Sequence, residues 1–161
     1  MKIRKLRVQD APLMLEWMHD QLVVEYMKTN FMEKKIEDCE SFIASAQDTS
    51  HNLHLALTDE NDIYMGTVSL KNIKNSSAEF GITVRSCAMG RGYAKQAMDE
   101  IIKIGFDQMG LDKIYWCVAP ENRRAVRFYE KNGFHQTFTP EEVDGYTDEE
   151  KRKFLWYMIE K

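Results

Sequence analysis

The chain has little cysteine, no long apolar run and no surplus of basic residues. Each shortage removes a class of protein. Its three cysteines, Cys39, Cys87 and Cys117, are odd in number and far apart, and no CxxC or CxxH pair occurs. That argues against a zinc site and against a disulfide framework, and reads as ordinary thiols of a reducing compartment. No stretch approaches the roughly 18 apolar residues of a membrane span. The opening MKIRKLRVQD has basic residues but no apolar segment behind them, so it does not read as a signal peptide and the cytoplasm is the expected location. Net charge is −4 over 161 residues. A nucleic-acid binder would show a basic face, so nucleic acid is not expected as a partner. The acidic run from Thr139 to Glu150 reads as a solvated face, or as a surface suited to a cationic partner such as an amine. Repeats and low-complexity linkers are also missing, and the length suits one domain over residues 1–161.

The chain has clear changes of period. Residues 2–8 read as a first strand. Asp10 and Pro12 open a helix whose apolar face is Leu13, Trp17 and Leu22, and a second helix is expected over 33–46. Three alternating segments follow, at 52–58, 63–73 and 78–86, separated by DEND and KNSS turns. They predict an antiparallel meander. A helix is expected over 91–109, then a buried strand over 112–119. A helix beginning near Asn122 and ending at Gly133 comes next, and two closing strands lie at 134–138 and 153–160. The order is that of an α+β fold built on one mixed sheet.

The chemistry-bearing stretch is CAMGRGYA, residues 87–94, where two glycines sit between a strand and a helix. A helix N-terminus carries unpaired N–H groups and partial positive charge, and glycine lets an anion come close. Met89, Gly90, Arg91, Gly92, Tyr93 and Ala94 are therefore a candidate phosphate cradle, the alternative being a plain turn. A P-loop is excluded because GxxxxGK[ST] does not occur. A dinucleotide fingerprint is excluded too. Lys95 occupies its third small position, and the preceding strands form a meander, not a βαβ unit.

The cradle, together with NRRAVRFYEKNGF at 122–134, resembles the GNAT superfamily of acetyl-CoA-dependent N-acetyltransferases. Gly90 and Gly92 match the family's phosphate loop, although Cys87 stands where that loop has Gln or Arg. Asn122, Ala125, Tyr129, Gly133 and Phe134 match its second motif. The opening 6–20 is similar to the branch that includes ribosomal-protein N-terminal and sugar-amine acetyltransferases. The resemblance implies a mixed, mostly antiparallel sheet of about seven strands, splayed into a V between the fourth and fifth and flanked by about four helices. It implies acetyl-CoA as acetyl donor, with no metal, and a primary amine as acceptor (a protein N-terminus, an amino sugar or another small amine) attacking directly in a ternary complex. It also implies that Ile82, Thr83 and Val84 pair with the pantetheine arm, that an amide near Val84 polarises the thioester, and that Asn122 holds the arm. An N-cap is the other role open to Asn122. Tyr129 is the implied acid toward the departing thiolate. Glu79, in the strand flanking the V, is the candidate base. Tyr26, Phe31 and Tyr146 are candidate walls of the acceptor site, and Asp20, Glu25 or Asp144 candidate attractors of the amine. The four histidines are expected to bind no metal. A homodimer is the expected assembly, if any. The competing reading is a non-catalytic acyl-CoA-binding module.

Overall fold

The computed structural model describes residues 1–161. Seven strands form one sheet in the order β1-β2-β3-β4-β5-β7-β6. They span Lys2–Lys5 (β1), Leu53–Thr58 (β2), Tyr64–Lys74 (β3), Ser77–Val84 (β4), Lys113–Val118 (β5), Gln136–Thr137 (β6) and Leu155–Glu160 (β7). The helices are Ala11–Met18 (α1), Gln21–Val24 (α2), Ile36–Ser45 (α3), Tyr93–Lys103 (α4), Arg123–Lys131 (α5) and Asp148–Lys153 (α6). All neighbouring strands are antiparallel except β4 and β5. That parallel pair holds only at Ser77↔Lys113, Ala78↔Ile114 and Glu79↔Tyr115. Beyond Glu79 the two strands diverge, while β4 stays paired to β3 as far as Gly66↔Val84. The expected V is thus present, and residues 80–84 present a free backbone edge to it.

Strand alternation divides the core. Leu57, Val68, Leu70, Phe80, Ile114 and Trp116 face Ala97, Met98 and Ile101 of α4. Ala56 and Tyr64 face Met14, Trp17 and Met18 of α1 and Cys39 and Ile43 of α3. Each fully buried large side chain contributes roughly 1.5–3 kcal/mol. A register shift between Leu57 and Thr58 explains why Tyr64 points away from Val68 and Leu70 although all three positions are even-numbered. Gly105 lies in a π-helical turn over Ile104–Gln108 that continues α4. An added Cβ there would come within 3.0–3.2 Å of Ile114, Leu70 and Leu111, so the absent side chain is what lets the turn lie on the sheet.

The main differences from the sequence reading lie at the helices. The buried face of α1 is Met14, Trp17 and Met18, with the expected Leu13 only half-buried beside it; the expected Leu22 falls beyond the end of α1, in α2, and is 57 % exposed. The second expected helix begins at Ile36, because residues 31–33 form a 3-10 turn. Two short helices, α2 and α6, join the four expected ones. Part of the acidic run folds as α6, with a capping box in which Thr147 and Glu150 exchange side-chain-to-backbone bonds. Its acidic first turn and basic last turn complement the helix dipole.

Candidate active site

One cleft of about 1190 Å³ follows the V and continues beneath α1 and α2. Its coenzyme-side wall is built from backbone. Gly90 and Gly92 have φ of +73° and +84°, values that L side chains rarely adopt. Gly92 is the N-cap of α4, and no side chain caps that helix. The first helical bond runs from Gln96 N–H to the Gly92 carbonyl. The amides of residues 90–94 therefore have no partner within the protein, and of these residues Gly90, Gly92, Tyr93 and Ala94 line the cleft. Met89 differs, because its N–H is donated to the Ser86 carbonyl at 3.2 Å. Its side chain lines the cleft and touches Arg124. Arg91 does not line the cleft; its guanidinium lies over the Tyr93 ring. The cations that do line this half are Lys95, Arg124 and Lys131. The sequence reading missed them, although the NRRAVRF stretch held the signal for Arg124.

Asn122 fills the capping role and keeps its amide nitrogen spare. Its Oδ1 accepts the Ala125 N–H at 3.2 Å and caps α5, while its Nδ2 has no partner in the protein and lines the cleft. A free strand edge at 80–84, five unpaired amides at a glycine turn and a spare carboxamide donor fit an extended amide-bearing arm that ends in phosphates.

Tyr129 of α5 is 7 % exposed, packed among Trp116, Tyr157, Phe128 and Phe134. Its hydroxyl bonds to nothing in the protein, and its side chain lines the cleft. Burial, then Tyr157 and Cys117, push its pKa above the usual tyrosine value, so the phenol keeps its proton.

Glu79 lies on the opposite face of β4 from Phe80, as alternation requires. It is 4 % exposed. Oε1 accepts from the Tyr146 hydroxyl at 2.6 Å and from Lys71 Nζ at 3.4 Å; Oε2 accepts from Asn72 Nδ2 at 3.1 Å. A carboxylate has about four acceptor sites, so one remains open. Asn72 reaches it because β3 is irregular between Lys71 and Lys74, with Asn72 at φ +52°. Tyr146 also accepts a bond from the Cys117 thiol at 3.6 Å and sits under Lys28 Nζ, 4.6 Å from the ring centre. Burial holds Cys117 up to about 11, so it is a protonated thiol at neutral pH. None of these neighbours of Glu79 was foreseen. The Lys71↔Glu79 pairing was countable from the hairpin spacing; Tyr146, 67 positions away, was not.

Tyr26, Phe31 and Tyr146 all line the acceptor half, as expected. Asp20, Glu25 and Asp144 do not. Asp20 caps α2, and Asp144 binds the Gly145 amide. His54 also lines this half. Its Nδ1 meets Ser69 Oγ at 2.7 Å, and its ring lies against Phe42. Burial, with help from Lys71, lowers its pKa to about 4. The folded state therefore binds the proton more weakly than the unfolded chain at about 6.5. That part of the stability is present above pH 6.5 and is lost as pH falls toward 4. Urea melts of wild type and His54→Gln should show the variant losing less stability across this window; parallel losses would contradict the assignment.

Comparison with known proteins agrees with this fold. The acetyltransferase (GNAT) domain family matches residues 1–135. Acetyltransferase PseH of Campylobacter jejuni is 29% identical over 143 residues, 88% of this chain and 86% of that protein. The structure of Vibrio cholerae spermidine N-acetyltransferase in complex with CoA and spermine superposes with a TM-score of 0.81 at 21% identity, covering 99% of this chain and 94% of that one. A dodecameric structure of the same enzyme gives 0.73 at 21% identity, covering 99% and 92%.

Proposed function

This chain belongs to the acetyltransferase (GNAT) family, and from that premise we propose how its own residues move an acetyl group from acetyl-CoA to a primary amine. The observation that supports the reading most strongly is the junction of a free β4 edge with an uncapped, glycine-started helix in one cleft. The amides of Gly90, Arg91, Gly92, Tyr93 and Ala94 hold the pyrophosphate, with Arg124 and Lys95 adding charge. The Met89 side chain walls the cradle and donates no amide. The backbone of Ile82, Thr83 and Val84 pairs with the pantetheine arm, and Asn122 Nδ2 binds one of its carbonyls. When bound, acetyl-CoA supplies the activated thioester carbonyl.

An alkyl amine with pKa near ~10 arrives protonated and must lose that proton to attack. Glu79, with one acceptor site open, receives it directly or through water. The Val84 amide stabilises the developing oxyanion. A C–N bond forms, the C–S bond breaks, Tyr129 delivers its proton to the departing sulfur, and the second proton shed by the acylated nitrogen passes through water to restore the phenol. Cys117 is poorly suited to carry the acetyl group. With a pKa of about 11 it is thiolate in only about one molecule in 10⁴ at pH 7, which favours direct attack in a ternary complex over an acyl-enzyme.

We read residues 1–161 as one acetyltransferase domain acting in the cytoplasm. No helix is long and apolar enough to cross a membrane. Phe138, 94 % exposed beside the two-residue edge strand β6, favours contact with a second copy, as in a homodimer. The direct test is thiol release from acetyl-CoA over protein N-terminal peptides, amino sugars and small amines. Turnover on at least one class is expected. Tight acetyl-CoA binding with no turnover on any amine would leave the non-catalytic acyl-CoA-binding reading.

A further inference from the structure

We infer that the acceptor amine also carries an anionic group, a carboxylate or a phosphate, and that Lys34 receives it. The inference rests on the acetyl-transfer reading above and concerns the same cleft. Five charged side chains line the acceptor half: Lys28, Lys34, Asp38, Lys71 and Glu79. Both carboxylates already accept hydrogen bonds, though Asp38 keeps Oδ1 without a partner in the protein. Glu79 accepts from Tyr146, Lys71 and Asn72. Asp38 Oδ2 accepts the Lys35 amide at 2.8 Å and closes the start of α3. Among the lysines, Lys28 is bound to Glu150 at 2.8 Å and to the Gly145 carbonyl, and Lys71 to Glu79.

Lys34 stands apart. It is half-buried, lines the cleft and has no carboxylate within 4.0 Å, although every other lining lysine of this half has one. Its backbone is pinned at both ends: its N–H is donated to the Phe31 carbonyl, and its own carbonyl meets His19 Nε2 at 2.8 Å. A half-buried lysine on a pinned backbone, without a carboxylate partner, is a receptor for an anion. The carboxylates that might have drawn a second cation stay out of the cleft, since Asp20 caps α2 and Asp144 turns to its own loop. A polyamine would meet three ammonium groups, with one acceptor site open on Glu79 and the unpartnered Oδ1 of Asp38 as its anionic contacts. An amine with an anionic group instead places its nitrogen at that site and its negative charge on Lys34. Lys71 lies beside Glu79, where it opposes a second cation.

The test is thiol release from acetyl-CoA with four amines: an amino-sugar phosphate, an amino acid, an uncharged amino sugar and spermidine. One or both anionic amines should exceed the uncharged one by about tenfold or more in kcat/KM, the size expected of one charged hydrogen bond. The phosphate and carboxylate arms identify which anion is used. The advantage should shrink as NaCl rises. Lys34→Glu and Lys34→Gln should each cut the anionic-to-uncharged ratio by about tenfold or more. Preference for spermidine, or a ratio unmoved in both variants, overturns the inference and leaves acetyl transfer standing. No turnover of any amine by wild type overturns the function proposed above, and this inference with it.

Discussion

Tyr129→Phe lowers kcat by about 10²–10⁴-fold, the usual contribution of a positioned general acid, while the affinity for coenzyme A changes little. The expectation follows from how the residue is held. The ring is fixed by Trp116, Phe128, Phe134 and Tyr157, so removing one oxygen leaves the packing intact. The hydroxyl has no partner in the protein, so its loss orphans no other group. Burial raises its pKa, which makes the phenol a weak acid, and the same burial penalises a free thiolate. Both effects place the proton transfer alongside C–S cleavage, because a bare thiolate is too costly to form first. Rapid-quench measurement of the chemical step checks this. A variant with wild-type kcat would show that the sulfur gets its proton elsewhere.

Gly92→Val weakens coenzyme A binding by about 100-fold, or about 2.7 kcal/mol. A β-branched residue at φ +84° is strained by about 1–3 kcal/mol, and relieving that strain would turn the first amides of α4 away from the cleft. Gly90→Val is the companion variant: its added Cβ meets nothing within 4 Å, so crowding in the folded protein is not the cause of its expected loss. Calorimetric titration of both, with circular dichroism to check that α4 persists, gives the answer. Unchanged affinity in both would remove the cradle from coenzyme binding.

The sheet was legible because its signals are local. The three meander strands alternate, β5 is an unbroken apolar run, and the glycine turn and the Asn122–Phe134 motif have fixed spacings. The helix errors have identifiable causes. Leu13, Trp17 and Leu22 looked like one face, but α1 stops at Met18, so Leu22 leaves that face while Met14 and Met18 join Trp17 in the core. The acidic run looked solvated because its charge dominated. Within it, Glu142 pairs with Lys113, Glu150 with Lys28, and Thr147 starts a helix. The pattern Thr147-x-x-Glu150 was the signal passed over. The coenzyme half of the site is mostly backbone and short motif, so it could be read in advance. The acceptor half is assembled from β2, β3, β4, the α2–α3 loop and the loop before α6, and no spacing in the sequence brings Lys34, His54, Glu79 and Tyr146 together.

All of the proposed chemistry depends on coenzyme A lying in the V with its phosphates on the start of α4. Amide hydrogen exchange with and without coenzyme A measures this directly. Slower exchange concentrated at residues 80–84 and 90–94 is the predicted result. Protection confined to other segments, or none at saturating coenzyme A, would contradict it.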